Sequence, residues 1–292
     1  MSPAALTVLS PCKFNLFLAV GPARPDGYHE LVTVMEPLNL CDRLVLEEIE
    51  AGRIEVACSD PAVPSGPDNL VYRAATEFRR AAGIERGVRI VLEKGIPAAA
   101  GLGGGSGDAA TTILALERLW GSELPREQAR RICAGLGSDV AFFLDPRTSL
   151  CRGRGEAVAA LPPAPPLHAV LVNPGLPLPT AWAYRQLDLN PPPAPPALEP
   201  LLAALEAGDL EKMAGCLYNA FQPLACRRYP EVDRAVAFLD NLLPLGALLA
   251  GSGATVVGLA ATGEEAAAAA ERVRTAFPGT FVAVADNRLP EK

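Results

Sequence analysis

Apolar positions along the chain repeat at two spacings, and the spacing changes several times. Leu6-Thr7-Val8-Leu9 and residues 15–20 read as strands on either side of Pro11, whose missing N–H predicts a break between them. Residues 43–49 and 53–57 predict a hairpin across Glu50-Ala51-Gly52. Residues 69–82 change to helical spacing, with Val71, Ala74, Ala75 and Phe78 on one face. Residues 88–92 read as a short β-branched strand. Helices are predicted over 108–120, where Ile113, Leu116, Leu119 and Trp120 share a face and Gly121 gives a stop, and over 126–135. Strands are expected at 148–151 and 158–161. The final third alternates again, with helices at 198–206, 232–243 and 264–277 and strands at 254–259 and 281–285. Elements mixed in this way predict an α+β fold. The cluster Pro162-Pro163-Ala164-Pro165-Pro166 predicts the passage from an N-terminal lobe, 1–161, to a C-terminal lobe, 162–292. The prolines of 191–196 predict a surface loop, and no segment repeats another.

Composition narrows the function classes. With 292 residues, half of them hydrophobic, the chain can bury a substantial core in one large domain or two intimate ones. The formal charge of −7 and the absence of a dense Lys/Arg run argue against a nucleic-acid partner. An acidic chain that binds phosphate must do so with backbone N–H groups and a few placed cations. The seven cysteines are odd in number and form no C-x-x-C pair, which predicts buried thiols in a reducing cytoplasm. Two histidines exclude a His-rich metal site. Lys13 interrupts the N-terminal apolar stretch, and Pro244 with several glycines breaks residues 242–261, so neither a signal peptide nor a membrane span is expected.

Five segments carry candidate chemistry. Five of the seven residues 101–107 are glycine, placed between a strand and a helix. Glycine permits positive φ and close approach, and a helix start offers free N–H donors to an anion. Ser106 is the expected cap of that helix and offers a hydroxyl to a phosphate or a metal-bound water. No Lys-Ser/Thr follows, so this is not a Walker loop, and Ser106 breaks the G-x-G-x-x-G spacing. Ser10-Pro11-Cys12-Lys13-Phe14-Asn15 puts a cation and an amide in an apolar strand, where Lys13 is either functional or a snorkelling edge residue. Asp139, in Gly137-Ser138-Asp139-Val140, taken alone reads as a helix cap. Arg24-Pro25-Asp26-Gly27-Tyr28-His29 is either a surface turn or a platform for a flat ligand. Gly251-Ser252-Gly253 taken alone reads as a plain turn.

Together and in this order, Pro11-x-Lys13-x-Asn15, Arg24-x-Asp26-Gly27-Tyr28-His29, residues 101–110, Gly137-Ser138-Asp139-Val140 and Gly251-Ser252-Gly253 resemble the small-molecule kinases of the galactokinase, homoserine kinase, mevalonate kinase and phosphomevalonate kinase superfamily. The resemblance implies a two-lobed fold with a ribosomal-S5-like first lobe and a ferredoxin-like second lobe. It implies transfer of phosphate from ATP with Mg²⁺ to an alcohol. The match is best in the branch that acts on a cytidine-diphosphate-linked methylerythritol in non-mevalonate isoprenoid synthesis. By resemblance, Asp139 is the catalytic acid/base and Lys13 lies beside it. Asn15 holds the polyol or its diphosphate, and Tyr28 and His29 recognise cytosine. The segment Pro174-Gly175…Pro179-Thr180 nominates Thr180 and, as the opposite aromatic wall, Tyr184. Pro97-Ala98-Ala99-Ala100-Gly101-Leu102-Gly103-Gly104-Gly105-Ser106-Gly107 wraps the ATP phosphates, with Leu70 and Lys94 nearer the adenine. No protein cage for the metal is expected, and the chain is expected to be a monomer or weak homodimer. Met35, Ala141, Gly107 and Asn219-Ala220-Phe221-Gln222 depart from the pattern. The rivals are a kinase for another alcohol such as homoserine, a nucleotide-binding regulator without catalysis, and an RNA-binding role that the net charge disfavours.

Overall fold

The structure is a computed structural model that describes residues 5–290. Its backbone begins with two long strands, β1 (Ala5–Ala23) and β2 (His29–Ile49), paired antiparallel. The break expected at Pro11 is absent. β1 runs through it, and the register shifts between Pro11 and Cys12 instead. A bulge accommodates the missing N–H without ending the strand.

The hairpin expected between residues 43–49 and 53–57 does not form. β3 (Ile54–Cys58) leads into helix α1 (Leu70–Ala82) and then β4 (Gly87–Glu93). β4 inserts between them, antiparallel to β2 and parallel to β3. A parallel neighbour requires a crossover, and α1 supplies it. Val88, Ile90 and Leu92 of β4 are buried, so the interior position suits it better than an edge. Asn69 caps α1 by accepting from the Val71 N–H at 2.8 Å, and the predicted face of Val71, Ala74, Ala75 and Phe78 is the buried one.

α2 (Gly104–Trp120) begins inside the glycine-rich segment, about one turn before the predicted start. Ser106 is therefore within its first turn and is not the cap; Gly103 occupies that position with no side-chain bond. α3 (Arg126–Leu136) and a short 3₁₀ turn (Val140–Leu144) lead to β5 (Ser149–Gly153) and β6 (Ala157–Ala160). The first sheet runs β3-β4-β2-β1, and β5 also pairs with β2 and carries β6.

The second half contributes β7 (His168–Asn173), α4 (Thr180–Leu189), α5 (Glu199–Ala207), α6 (Leu210–Ala214), β8 (Tyr218–Asn219), α7 (Gln222–Arg228), α8 (Pro230–Leu242), β9 (Ala247–Leu249), β10 (Val256–Ala260), α9 (Gly263–Ala276) and β11 (Phe281–Asp286). Four of these strands form an antiparallel sheet, β11-β7-β10-β9. β8 instead joins the first sheet, parallel to β1, with Phe17 opposite Tyr218. The halves also share a core in which Phe14, Leu16 and Leu38 cluster with Leu171, Val257 and Leu259.

A polar seam crosses the same junction. Asn39, in the bulged part of β2, exchanges two bonds of 2.9 Å with Asp286. Asn287 donates to Glu36 Oε1 at 3.0 Å and to the Pro165 carbonyl at 3.1 Å, while Glu36 Oε2 has no partner. Burial pushes the Glu36 carboxyl up from 4.5 to about 7, against the help of Asn287. The folded state therefore holds this proton more tightly than the unfolded chain. Glu36 should contribute stability that falls as pH rises from about 4.5 to about 7. Glu36→Gln should flatten that part of the Tm-against-pH curve, and an unchanged slope would remove Glu36 as its source.

Candidate active site

The glycine-rich segment turns tightly because the chain is confined on both sides. Gly101 and Gly103 have φ of 80° and 72°. A Cβ on Gly101 would lie 2.1 Å from the Ala250 carbonyl oxygen, and one on Gly103 would meet Phe143 Cζ at 3.0 Å and Lys13 Cγ at 3.1 Å. The segment is thus wedged between the turn at 251–253 and the strand carrying Lys13. The Lys13 N–H donates to the Leu102 carbonyl at 2.9 Å.

Lys13 is buried in β1, so the snorkelling alternative fails. Its Nζ donates to Asn15 Oδ1 at 2.9 Å and lies 3.3 Å from Asp139 Oδ2. Asn15 Oδ1 also accepts from the Gly251 N–H at 3.1 Å, and its Nδ2 donates to Thr33 Oγ1 at 2.8 Å. Thr33 in turn donates to the Phe17 carbonyl at 2.7 Å. This chain of bonds fixes Asn15 as the support of Lys13 and leaves one amide hydrogen for anything bound. Asp139 precedes the 3₁₀ turn, yet its side chain makes no capping bond there. The carboxylate faces Lys13 and is 28% exposed, so a ligand can reach it.

Two clefts meet at the glycine segment. The aromatic cleft, of about 640 Å³, has Lys13 and Asp139 in its lining together with Tyr28, His29 and Tyr184. The glycine cleft, of about 410 Å³, is lined by Leu70, Lys94, residues 97–101 and 103–106, and Asp108. Ala99, Gly101, Gly103, Ser106 and Thr180 belong to both. Thr180 opens α4 and its hydroxyl is 3.0 Å from that of Ser252, so it stands where the clefts join. Leu102 and Gly107 line neither: Leu102 is in the core, and Gly107 faces Ser10 and Pro11 beneath the loop.

Lys94 lines the glycine cleft, but its side chain is only 8% exposed. Its ammonium turns inward to Asp42 and to Asp108, the latter at 2.8 Å. Asp42 Oδ1 also accepts from the N–H groups of Gly95 at 2.7 Å and Ile96 at 2.9 Å. Burial raises the Asp108 carboxyl, with the neighbouring Asp42 adding to the effect and Lys94 opposing it. Burial alone would lower Lys94, but the two carboxylates outweigh it and raise the ammonium. This cation is a buried strut under the loop and not a free contact for a nucleotide.

The aromatic cleft differs from the expected sandwich on the His29 side, where Tyr184 lies beside the ring. The Arg24–Tyr28 turn is held by the Asp26 carboxylate, which accepts from the Tyr28 N–H at 3.1 Å. Tyr28 is half exposed and the Arg154 guanidinium lies 4.6 Å from its ring centre. Tyr184 does not stand opposite His29; the two rings pack at 5.0 Å, tilted by 33°. A base between two rings needs about 7 Å, twice an ordinary contact distance. Tyr184 and His29 therefore form one wall, backed by Phe221 at 5.0 Å from Tyr184. Burial raises the Tyr184 phenol, with the Asp139 charge adding to it. Met35 is buried and reaches the same cleft.

Arg154, Arg185, Asp188 and Thr33 also line this cleft and were not found in the sequence, while Ser252 belongs to the turn noted there. Asn219 was visible there only as part of a departure from pattern. It is buried and donates to the Leu249 and Gly251 carbonyls at 2.7 and 2.8 Å, while accepting from the Phe221 N–H at 2.8 Å. It clamps the turn against which Gly101 packs. Asn219→Ala should cost about 1–3 kcal/mol by leaving these groups unpaired. A urea midpoint equal to that of the unmodified chain would dismiss the clamp.

The chain is similar to relatives of known name over most of its length. Residues 69–145 match the model of the GHMP kinases N terminal domain, and residues 201–279 match that of the GHMP kinases C terminal. The 4-diphosphocytidyl-2-C-methyl-D-erythritol kinase of Pelotomaculum thermopropionicum is 43% identical over 92% of this chain and 94% of its own length. The enzyme of that name from Moorella thermoacetica is 42% identical over 95% of this chain and 98% of its own. The chain belongs to this kinase family. A crystal structure of 4-(cytidine 5'-diphospho)-2C-methyl-D-erythritol kinase, 39% identical, superposes with a TM-score of 0.79 over 96% of this chain and 99% of that one. Homoserine kinase from Cytophaga hutchinsonii, 20% identical, shares the fold with a TM-score of 0.75 over 96% of this chain and 94% of that one. The protein is thus an enzyme of the GHMP kinase fold, with both halves of the matched family in one chain. No helix among the described residues is long and apolar enough to cross a membrane.

Proposed function

We propose that this kinase moves the γ-phosphoryl group of ATP to a hydroxyl of 4-diphosphocytidyl-2-C-methyl-D-erythritol, giving the 2-phospho product and ADP. The carrying observation is that the two clefts share the wall Ala99-Gly101-Gly103-Ser106, with the Lys13–Asp139 pair on the aromatic side of it. The loop's backbone and the start of α2 suit the phosphates of ATP in the glycine cleft. The aromatic cleft suits a pyrimidine diphosphate whose polyol points toward Asp139. The hydroxyl oxygen then forms the new P–O bond while the bond from γ-phosphorus to the bridging oxygen breaks. Asp139 takes the hydroxyl proton, and Lys13 stabilises charge that develops on the transferred group. Such a reaction depends mainly on positioning and charge stabilisation.

Among the described residues no group of three or more His, Cys, Asp or Glu side chains could hold a metal ion. The Asp108 carboxylate in the glycine cleft holds Lys94 through Oδ2, and its buried Oδ1 has no partner among the described residues. A magnesium ion would be carried mainly by ATP phosphates and water, with the Ser106 hydroxyl, on the wall the clefts share, as its candidate protein contact. The ion would supply neutralisation of phosphate charge. The odd, scattered set of seven cysteines supports a reducing cytoplasm, and a monomer or weak homodimer is the proposed state. Coupled ADP release tests the acceptor. The cytidine-diphosphate polyol should support turnover while homoserine and mevalonate do not, and turnover on homoserine alone would replace the proposed acceptor.

A further inference from the structure

His29 opens β2 and Asp188 lies in the last turn of α4, 159 residues apart in sequence. In the fold His29 Nε2 is 2.8 Å from Asp188 Oδ1. An ionised carboxylate only accepts, so Nε2 carries the hydrogen of this bond. The imidazole is 9% exposed and packs on Tyr184, so a face contact and an edge contact together fix its orientation. Nδ1 has no protein partner among the described residues. His29, Tyr28 and Asp188 all line the aromatic cleft.

We propose that Asp188 is a positioning residue that holds the His29 ring with Nδ1 as a hydrogen-bond acceptor for the bound base, so that the site selects an aminopyrimidine over its carbonyl counterpart. In a neutral imidazole the nitrogen opposite the N–H is an acceptor. Such a nitrogen pairs with the exocyclic amine of cytosine. It meets the corresponding carbonyl of uracil lone pair to lone pair and leaves a polar group unpaired on each side. A site built to form one hydrogen bond rejects the analogue that cannot form it more strongly than an apolar pocket could. Tyr28 and Tyr184 cannot supply this choice through their faces, because every pyrimidine has a π-face. The inference rests on the assignment of the aromatic cleft to a cytidine diphosphate.

Asp188 is half exposed, and a single hydrogen bond to it contributes little to stability. Alanine suits its helical position, so Asp188→Ala should fold normally. At about pH 8, above the ordinary imidazole range, CMP should inhibit the unmodified enzyme at least tenfold more strongly than UMP. In Asp188→Ala that ratio should fall to within about twofold and the KM for the cytidine-diphosphate polyol should rise about tenfold. The kcat and the KM for ATP should stay within about twofold, which separates loss of positioning at the base from general damage. The chain contains only two histidines, so ¹⁵N spectra can follow both rings without any substrate. The Nε2–H form of His29 should dominate in the unmodified enzyme, and the ring should lose its single fixed state in Asp188→Ala. An unchanged CMP-to-UMP ratio in the variant, or Nδ1–H in the unmodified enzyme, would overturn the inference. If the unmodified enzyme binds neither nucleotide, the cytidine assignment fails, and the spectra still decide whether Asp188 holds the ring.

Discussion

Asp139→Asn is expected to lower kcat by about 10²–10⁴-fold, the range for loss of a general base. That equals roughly 3–5.5 kcal/mol of barrier. The amide keeps the shape of the carboxylate but cannot take the hydroxyl proton at the same point. Asp139 makes no capping bond, but it is the counter-charge of the buried Lys13, so Tm should fall while the fold is kept, the amide oxygen still accepting from the ammonium. KM for ATP should change little, because Asp139 lines the aromatic cleft and not the glycine cleft. Steady-state kinetics on the cytidine-diphosphate polyol give all three readings. Near-normal turnover would remove Asp139 from the base role.

Lys13→Met is expected to lower kcat by about 10²–10³-fold, comparable to removing one preorganised donor from a site of developing charge. Methionine retains much of the stem that packs under Gly103, so the loop should keep its path. The loss is the ammonium that lies 3.3 Å from Asp139. Asn15 Oδ1 would keep its bond from the Gly251 N–H, which limits collapse of the turn. KM for ATP should rise less than about threefold if Lys13 acts on the transferred group. A large rise in the KM for ATP with kcat intact would place Lys13 on the bound nucleotide instead.

The parts of this site that were legible in the sequence are those written in local chemistry. Glycines at 101 and 103 announce a backbone that an L side chain could not follow, and both have positive φ. The helix face of Val71, Ala74, Ala75 and Phe78 follows from spacing alone, and it is buried as expected. What escaped depends on partners distant in sequence. Lys94 is separated from Asp42 by 52 residues, and nothing near it signals that its charge is buried. The pairing of β4 between β2 and β3 is likewise a choice among strands that look alike locally. The start of α2 was hidden because glycine disfavours helix, while here the loop's packing overrides that preference. Asp139 illustrates the reverse case. Its local setting reads as a cap, and only the position of Lys13, on the distant strand β1, shows the carboxylate turned toward a cleft.

The most direct measurement is the ³¹P spectrum of the products formed from ATP and 4-diphosphocytidyl-2-C-methyl-D-erythritol. One new phosphomonoester resonance should grow in step with ADP while the cytidine diphosphate resonances persist, because the phosphoryl group joins the polyol and the diphosphate bridge stays intact. Growth of ADP with inorganic phosphate alone, or a new phosphate on the nucleotide end of the acceptor, would contradict transfer at the Lys13–Asp139 pair.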